Sequence, residues 1–290
     1  MNKESTSNII SGTMFWGKWG VSLSTANMQE LIEYNVEIGI NSFDHADIYG
    51  GYTTEAEFGK ALQLSNTERE NIKLISKCGI QYPSELRPHK VKHYDYSQKH
   101  IRSSVENTLR NLKTEYIDVF LLHRPSPLMN PIEIGEIISD LINEGKIQEF
   151  GVSNFTKDQI ELLNTSTNVM HNQVECSLTH SNSMNNGTLD YCQSKNIDIM
   201  AWSPLGSYFK IFDEKRTRIN SILKKLSKVY SCSEDQLLLA WLFKHPAGIN
   251  PIVGTTKKER LLSSIKAKLI NIKTSDWFEI LEASLGERVP

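Results

Sequence analysis

Four residues of complementary chemistry fall at the ends of three successive apolar runs, Ile40–Ile48, Ile72–Lys77 and Tyr116–His123. Asp44 lies inside the first run with Tyr49 just beyond it, Lys77 closes the second, and His123 closes the third. A phenol with an ordinary pKa near ~10 is a poor acid at neutral pH, and a neighbouring ammonium lowers that value by favouring the phenolate. Lys77 can supply the charge. Asp44 can keep Lys77 protonated and paired where it could not stay buried alone, and His123 can offer a ring N–H to a substrate oxygen. Taken singly, each residue has a structural explanation: a turn or cap aspartate, a solvated lysine, a satisfied histidine. Their joint placement carries the inference of proton-transfer chemistry, and so of an enzyme.

Residues this far apart meet only if the runs lie side by side with their C-terminal ends on one rim. Short β-branched or apolar runs alternate with stretches of helical period, which implies parallel strands joined by right-handed crossovers. The pattern predicts strands over Ile9–Met14, Asn41–Ala46, Ile72–Lys77, Ile117–Leu122, Glu149–Ser153, His171–Glu175, Ile197–Trp202 and Asn250–Val253. It predicts helices over Ala26–Ile38, Ser97–Asn111, Pro131–Asn143, Lys157–Leu163, Thr217–Val229 and Lys257–Ile265. Asn130-Pro131 reads as a cap followed by proline at the first helical position. Ser233-Glu-Asp-Gln236 reads as a capping box before Leu237–Phe243, a helix that stops near His245-Pro246. Eight strand–helix units predict a (β/α)8 TIM barrel, a single α/β domain spanning residues 1–290. Alternation along the strands places Asp44 on a face with Ser42 and Ala46, Lys77 with Ile75, and His123 with Leu121. Two long segments, Gly79–Tyr96 and Ser203–Lys215, follow strand ends and suit substrate walls or lids.

Composition removes several function classes. A net charge of −2 supplies no concentrated positive field for nucleic acid or a membrane surface. No apolar run approaches the ~18 residues needed to span a bilayer, and the polar start Met1–Ser7 is no secretory signal. The four cysteines are widely spaced without a CxxC pair, as expected of free thiols in a reducing cytoplasm. The histidines lack metal-ligand spacing, so no metal is expected. Gly12-Thr-Met-Phe-Trp-Gly17-Lys18 imitates a Walker loop, but Trp19 stands where Mg²⁺ needs Ser or Thr. No GxGxxG follows a strand, so a Rossmann dinucleotide site is unsupported.

The remaining strand ends add groups suited to a nucleotide. Ser153, Asn154 and Gln173 offer hydroxyl and amide groups that match a carboxamide such as that of nicotinamide. Trp202 offers a flat face for an aromatic ring, with core packing as its competing explanation. The stretch Ile252-Val-Gly254-Thr255-Thr256-Lys257-Lys-Glu-Arg260 runs from a strand into a helix. Its hydroxyls, helix N-terminal amides, Lys257 and Arg260 read as a phosphate site, or else as a capped, solvated helix start.

Six motifs in order resemble the aldo-keto reductase family over essentially the whole chain: Phe43-Asp-His-Ala-Asp-Ile-Tyr-Gly50, Ser76-Lys-Cys78, Leu121-Leu-His-Arg124, Gly151-Val-Ser-Asn-Phe155, Ala201-Trp-Ser-Pro-Leu-Gly206 and Ile252–Arg260. The FDHADIYGG signature is similar to that of bacterial-type members. The resemblance implies a barrel that binds NADP(H) across its mouth, with a catalytic tetrad of Asp44, Tyr49, Lys77 and His123. It places carboxamide contacts at Ser153, Asn154 and Gln173, ring stacking at Trp202, where many members carry Tyr, and pyrophosphate contacts around Ser203, Leu205 and Gly206. Lys257 and Arg260 favour a 2′-phosphate and hence NADP. Ser263 and Ser264 stand where many members place Glu and Asn against the adenosine. The chain ends soon after Trp277 without the long C-terminal loop of the steroid- and aldose-reducing members, and the N-terminal hairpin that plugs many barrels is reduced to Met1–Ile10.

The implied activity is NADPH-dependent reduction of a small aldehyde or ketone to an alcohol. Two alternatives stay open: an NADP(H)-sensing regulatory or channel-associated subunit with little turnover, and a barrel isomerase or aldolase using Lys77 as a Schiff base. Phe15, Trp16, Trp19, Tyr52 and Tyr82 could wall a substrate pocket or belong to the core. The physiological substrate and the oligomeric state are not readable from the sequence.

Overall fold

A computed structural model of the protein describes residues 9–85 and 87–290. The hairpin remnant expected over Met1–Ile10, and the polar start within it, therefore lie outside the described residues except for Ile9 and Ile10.

Eight parallel strands close a barrel in the order β1-β10-β9-β8-β7-β6-β3-β2. They are β1 (Ile10–Gly12), β2 (Ser42–Asp44), β3 (Lys73–Cys78), β6 (Ile117–Leu122), β7 (Ile147–Ser153), β8 (His171–Glu175), β9 (Asp198–Trp202) and β10 (Asn250–Val253). The two remaining strands, β4 (Ile80–Gln81) and β5 (His93–Tyr94), form a small antiparallel pair outside the barrel. The segment 79–96, expected as a plain loop, thus carries its own hairpin on the rim. All eight anticipated strands exist: β6, β8 and β10 keep their expected bounds, β7 starts two residues earlier, and the others are trimmed or shifted by one or two residues at an end.

Helices α1 (Thr25–Glu37), α2 (Thr54–Leu64), α3 (Gln98–Leu112), α4 (Pro131–Asn143), α5 (Lys157–Leu163), α6 (Asn182–Asn185), α7 (Thr188–Ser194), α8 (Glu214–Tyr230), α9 (Glu234–Phe243), α10 (Lys258–Lys266) and α11 (Thr274–Leu285) surround the barrel or lead between its strands. Local chemistry fixes many of their starts. Asn130 caps α4 with Pro131 at the first turn, and Ser233 with Gln236 forms the capping box of α9. α8 begins earlier than expected because the Asp213 carboxylate accepts the Arg216 N–H at 2.7 Å. At the C-terminus α11 docks on α9 through stacked Trp241 and Trp277 rings, 4.7 Å apart and 6° from parallel. Each indole N–H donates to the other residue's carbonyl, at 3.2 and 2.9 Å.

The core splits as the strand alternation requires. Ile10, Ile75, Val119, Leu121, Met200 and Ile252 fill the barrel interior. The opposite strand faces pack against the helices in two larger apolar clusters. Because the interior is plugged with aliphatic side chains, the polar residues at the C-terminal strand ends sit on a closed floor. Among the described residues no helix is long and apolar enough to cross a membrane.

Candidate active site

The parallel register brings the sequence-distant groups together. β2 and β3 pair with Asp44 opposite Ile75, and β3 and β6 pair with Lys77 opposite Leu121. One step beyond β6, the His123 N–H is held by the Cys78 carbonyl at 2.9 Å. Tyr49 opens a short 3-10 turn beyond β2 and folds back over the rim. Lys77 is fully buried, and its ammonium donates to Asp44 Oδ1 at 2.7 Å, to the His45 carbonyl at 2.5 Å and to the Tyr49 hydroxyl at 3.4 Å. The Tyr49 and His123 rings meet edge to face with centroids 6.2 Å apart. All four expected catalytic residues share one site.

Its electrostatics differ from expectation in one respect. Burial pushes the Tyr49 phenol well above the usual tyrosine range, and the Asp44 carboxylate adds to the shift. The anticipated net lowering is therefore corrected: burial and Asp44 outweigh the Lys77 ammonium, whose short hydrogen bonds go to Asp44 and His45 and whose long one goes to the phenol. Burial also lowers Lys77, opposed by Asp44. His123 is driven well below the ordinary imidazole range by burial and then by the charge of Lys77, with Arg124 and Lys92 adding to it. The ring is neutral at physiological pH, and its Nδ1 has no protein partner.

Gln173, expected as a carboxamide ligand, donates its amide to Asp44 Oδ1 at 2.7 Å. The carboxylate settles the amide orientation, since only the NH₂ can face it. Gln173 thus ties the β8 side of the rim to the ion pair. Beside it, Asn154 donates to Ser153 Oγ at 2.8 Å and accepts the Trp202 indole N–H at 2.9 Å. Asn154 takes a left-handed backbone (φ +63°) that turns its side chain onto the rim. Trp202 is half-buried at the end of β9 and packs against the apolar residues of the barrel interior.

The two phosphate candidates are also formed. Ser203 is left-handed (φ +51°), and the Gly206 N–H closes a tight turn on the Ser203 carbonyl at 2.8 Å. Gly206 must be glycine, because its φ is +55° and a Cβ would stand 2.0 Å from Thr179 Oγ1. Leu205 lies half-buried between them. After β10, Gly254 is exposed, and Thr255 and Thr256 are half-buried. Thr255 Oγ1 accepts the Lys257 N–H at 3.2 Å. α10 then starts without a side-chain cap at Lys257, so its first amides are available to an anion. Lys257 and Arg260 are exposed and make no ion pair among the described residues, whereas Lys258 between them pairs with Glu30. These features fit an extended dinucleotide phosphate: donors without acceptors, a glycine cradle and two free cations.

The aromatic set divides. Trp16 is fully buried against Phe43 and Phe58, so it belongs to the core. Trp19 lies 5.4 Å from Tyr82 and 6.2 Å from Tyr49 by ring centroids, and the Tyr82 N–H donates to the Tyr52 hydroxyl at 2.9 Å. These three wall one side of Tyr49. Phe15, 43% exposed, stands beside Gly254 after β10.

A buried acidic layer behind Lys77 has no counterpart in the sequence reading. Glu55, on α2, accepts from Ser76 Oγ at 2.6 Å and Thr108 Oγ1 at 3.1 Å, and burial raises its pKa. Asp47 is raised well above the usual carboxylate range by burial, then by Glu55. His45 is pushed down to about 3 by burial and Lys77. Asp47 and His45 lay inside a quoted motif. Glu55 sits in a helix whose start carries no side-chain cap signal.

The family model described as "Aldo/keto reductase family" matches residues 8–284. An uncharacterized oxidoreductase of Bacillus subtilis, YcsN, is 43% identical, the match covering 98% of this chain and 96% of the relative. A 6-dehydroglucose reductase of Agrobacterium fabrum is 36% identical over 94% of each chain. A crystal structure of an aldo/keto reductase from Klebsiella pneumoniae, in complex with NADP and acetate, superposes with a TM-score of 0.76 at 23% identity, covering 93% of this chain and 89% of that one. The chain belongs to the aldo/keto reductase family of oxidoreductases.

Proposed function

We propose that the protein reduces aldehyde or ketone carbonyls of small molecules with NADPH, with Tyr49 as the general acid. The observation that carries this reading is the buried Asp44–Lys77 pair with the Tyr49 hydroxyl 3.4 Å from the ammonium. When bound, NADPH supplies a hydride to the carbonyl carbon. The oxygen then becomes alkoxide-like, a far stronger base than a phenolate. Against such a base even a phenol with a raised pKa is a competent donor, and the raised value keeps the proton on Tyr49 until it is needed.

As the proton leaves, negative charge appears on the phenol oxygen beside Lys77. The ammonium is already fixed by Asp44 and the His45 carbonyl, so it stabilises that charge without reorganising. Neutral His123 has one ring N–H to orient the carbonyl oxygen, and its depressed pKa prevents it from competing as the acid. Gln173 holds Asp44 in line. Ser153 and Asn154 would take the carboxamide, Trp202 the nicotinamide ring, and Ser203, Leu205 and Gly206 the pyrophosphate. The phosphate of the adenosine ribose would rest on Gly254, Thr255, Thr256, Lys257 and Arg260. The reductase activity named for the Agrobacterium relative supports the reading of a reductase, and the Klebsiella structure of similar fold is a complex with NADP.

The test is a screen of purified protein against aldehydes, ketones and oxidised sugars, followed by NADPH absorbance. Turnover of at least one class supports the reading. Nucleotide binding without turnover across the panel would contradict it and favour the NADP(H)-sensing subunit.

A further inference from the structure

Arg124, directly after His123, takes no part in the reaction derived above, yet its backbone is fixed from both sides by one phenol. The Tyr96 hydroxyl donates to the Arg124 carbonyl and accepts the Arg124 N–H at 3.1 Å. Tyr96 is buried and reaches that position only because residue 79 is glycine. A Cβ on Gly79, whose φ is +106°, would stand 2.0 Å from the Tyr96 ring. The hairpin of β4 and β5 places both residues, with the Asp95 N–H on the Gly79 carbonyl at 2.9 Å.

The Arg124 guanidinium lies 5.5 Å from the Trp202 ring centroid, and its charge acts on both Tyr49 and His123. The cations of this rim differ in how they are engaged. Lys77 is paired with Asp44, Lys18 lies 3.8 Å from Glu85, and Arg87 stacks on the Tyr52 ring at 3.9 Å. Arg124 has no carboxylate partner among the described residues, and neither does Lys92, whose charge also reaches His123. A half-buried guanidinium on an anchored backbone, without a counter-charge, is completed by an anion from outside. Its place beside the His123–Tyr49 pair sets that anion close to the carbonyl under attack.

Resting on the carbonyl-reductase reading, we infer that Arg124 determines specificity by pairing with an anionic group, carboxylate or phosphate, carried by the carbonyl substrate. Lys92 adds to the field, Tyr96 is the positioning residue, and the Trp19–Tyr52–Tyr82 wall receives the remainder of the molecule.

Two matched pairs test this: 4-carboxybenzaldehyde against methyl 4-formylbenzoate, and glyceraldehyde 3-phosphate against glyceraldehyde. The wild-type protein should show a kcat/KM at least about tenfold higher for the anionic member of one or both pairs, falling with added salt. Which pair responds identifies the group. In Arg124→Gln the anionic-to-neutral ratio should fall by about tenfold or more, whereas Arg124→Lys should keep most of it. Tyr96→Phe should lower the ratio through KM for the anionic member. No preference in either pair, or an equal loss on both members in Arg124→Gln, would overturn the inference while NADPH-dependent turnover of the neutral members left the proposed function standing. A loss of NADPH affinity in Arg124→Gln matching the loss in the ratio would assign the arginine to the nucleotide and also overturn it.

Discussion

The two halves of the rim solve opposite problems. On the β2–β3–β6 side the central ion pair is buried and committed: Lys77 to Asp44 and the His45 carbonyl, Asp44 to Gln173. On the β7–β10 side the groups are neutral or exposed, with left-handed turns at Asn154, Ser203 and Gly206 and an uncapped helix start at α10. The first half is organised before any ligand arrives, so its electrostatic work lies in the fold. The second leaves donors free, as a site for an exchangeable anionic molecule requires. Damage to the first should therefore appear in stability and chemistry, and damage to the second in binding.

The largest expected effect comes from breaking the buried pair. Lys77→Met should lower the unfolding free energy by about 3–5 kcal/mol, since Asp44 is left charged and buried, and should abolish turnover. Adding Asp44→Leu should restore part of the stability in denaturant titrations and none of the activity. If the double variant regained turnover, the division between the halves would fail. On the open half, Lys257→Ala with Arg260→Ala should weaken NADPH by about 100-fold and NADH by less than about threefold. Fluorescence titration of both nucleotides reads this, and melting in denaturant should hardly change.

The buried histidine His45 offers a finer separation. Its folded pKa, about 3, is depressed below the ordinary 6.5, so the unfolded chain binds the extra proton first. Stability from this group is complete above the unfolded value and is lost as pH falls below it, by about 2 kcal/mol at pH 5. Glu55 and Asp47, both raised, act in the opposite direction, so the comparison is wild type against His45→Gln. The variant should lose less stability than wild type between pH 7 and pH 5. The smallest effect is a flat one. With His123 depressed and Tyr49 raised, kcat/KM for reduction should vary little from about pH 6 to about pH 8. A steep loss across that range would assign a titrating group to the chemistry that the site does not contain.

Much of this was legible because strand ends project chemistry onto one rim. Asp44, Lys77 and His123 close or follow apolar runs, and alternation points them inward. The eight strands follow from the same pattern. Helices α2, α6, α7 and α11 were not anticipated: α2 and α6 follow Thr53 and Ser181 without a side-chain cap, α7 follows left-handed Gly187, and α11 is held by the distant Trp241–Trp277 stack. Pairwise commitments were equally hidden. Nothing local shows that Gln173 bonds Asp44 across 129 residues, or that Glu30 engages Lys258 and leaves Lys257 and Arg260 free. The Tyr49 shift was misjudged in direction because burial, which opposes the phenolate, is a property of the packed site. Trp16 could be pocket wall or core by sequence alone, and the Phe43 and Phe58 rings packed on it decide for the core.

The most direct measurement is single-turnover hydride transfer in Tyr49→Phe, with NADPH affinity determined on the same preparation. Proton donation from the Tyr49 hydroxyl predicts a chemical step slowed by about 10²–10⁴-fold at nucleotide affinity within about threefold of wild type. A rate near wild type on a reactive aldehyde would contradict the assignment of Tyr49 as the acid.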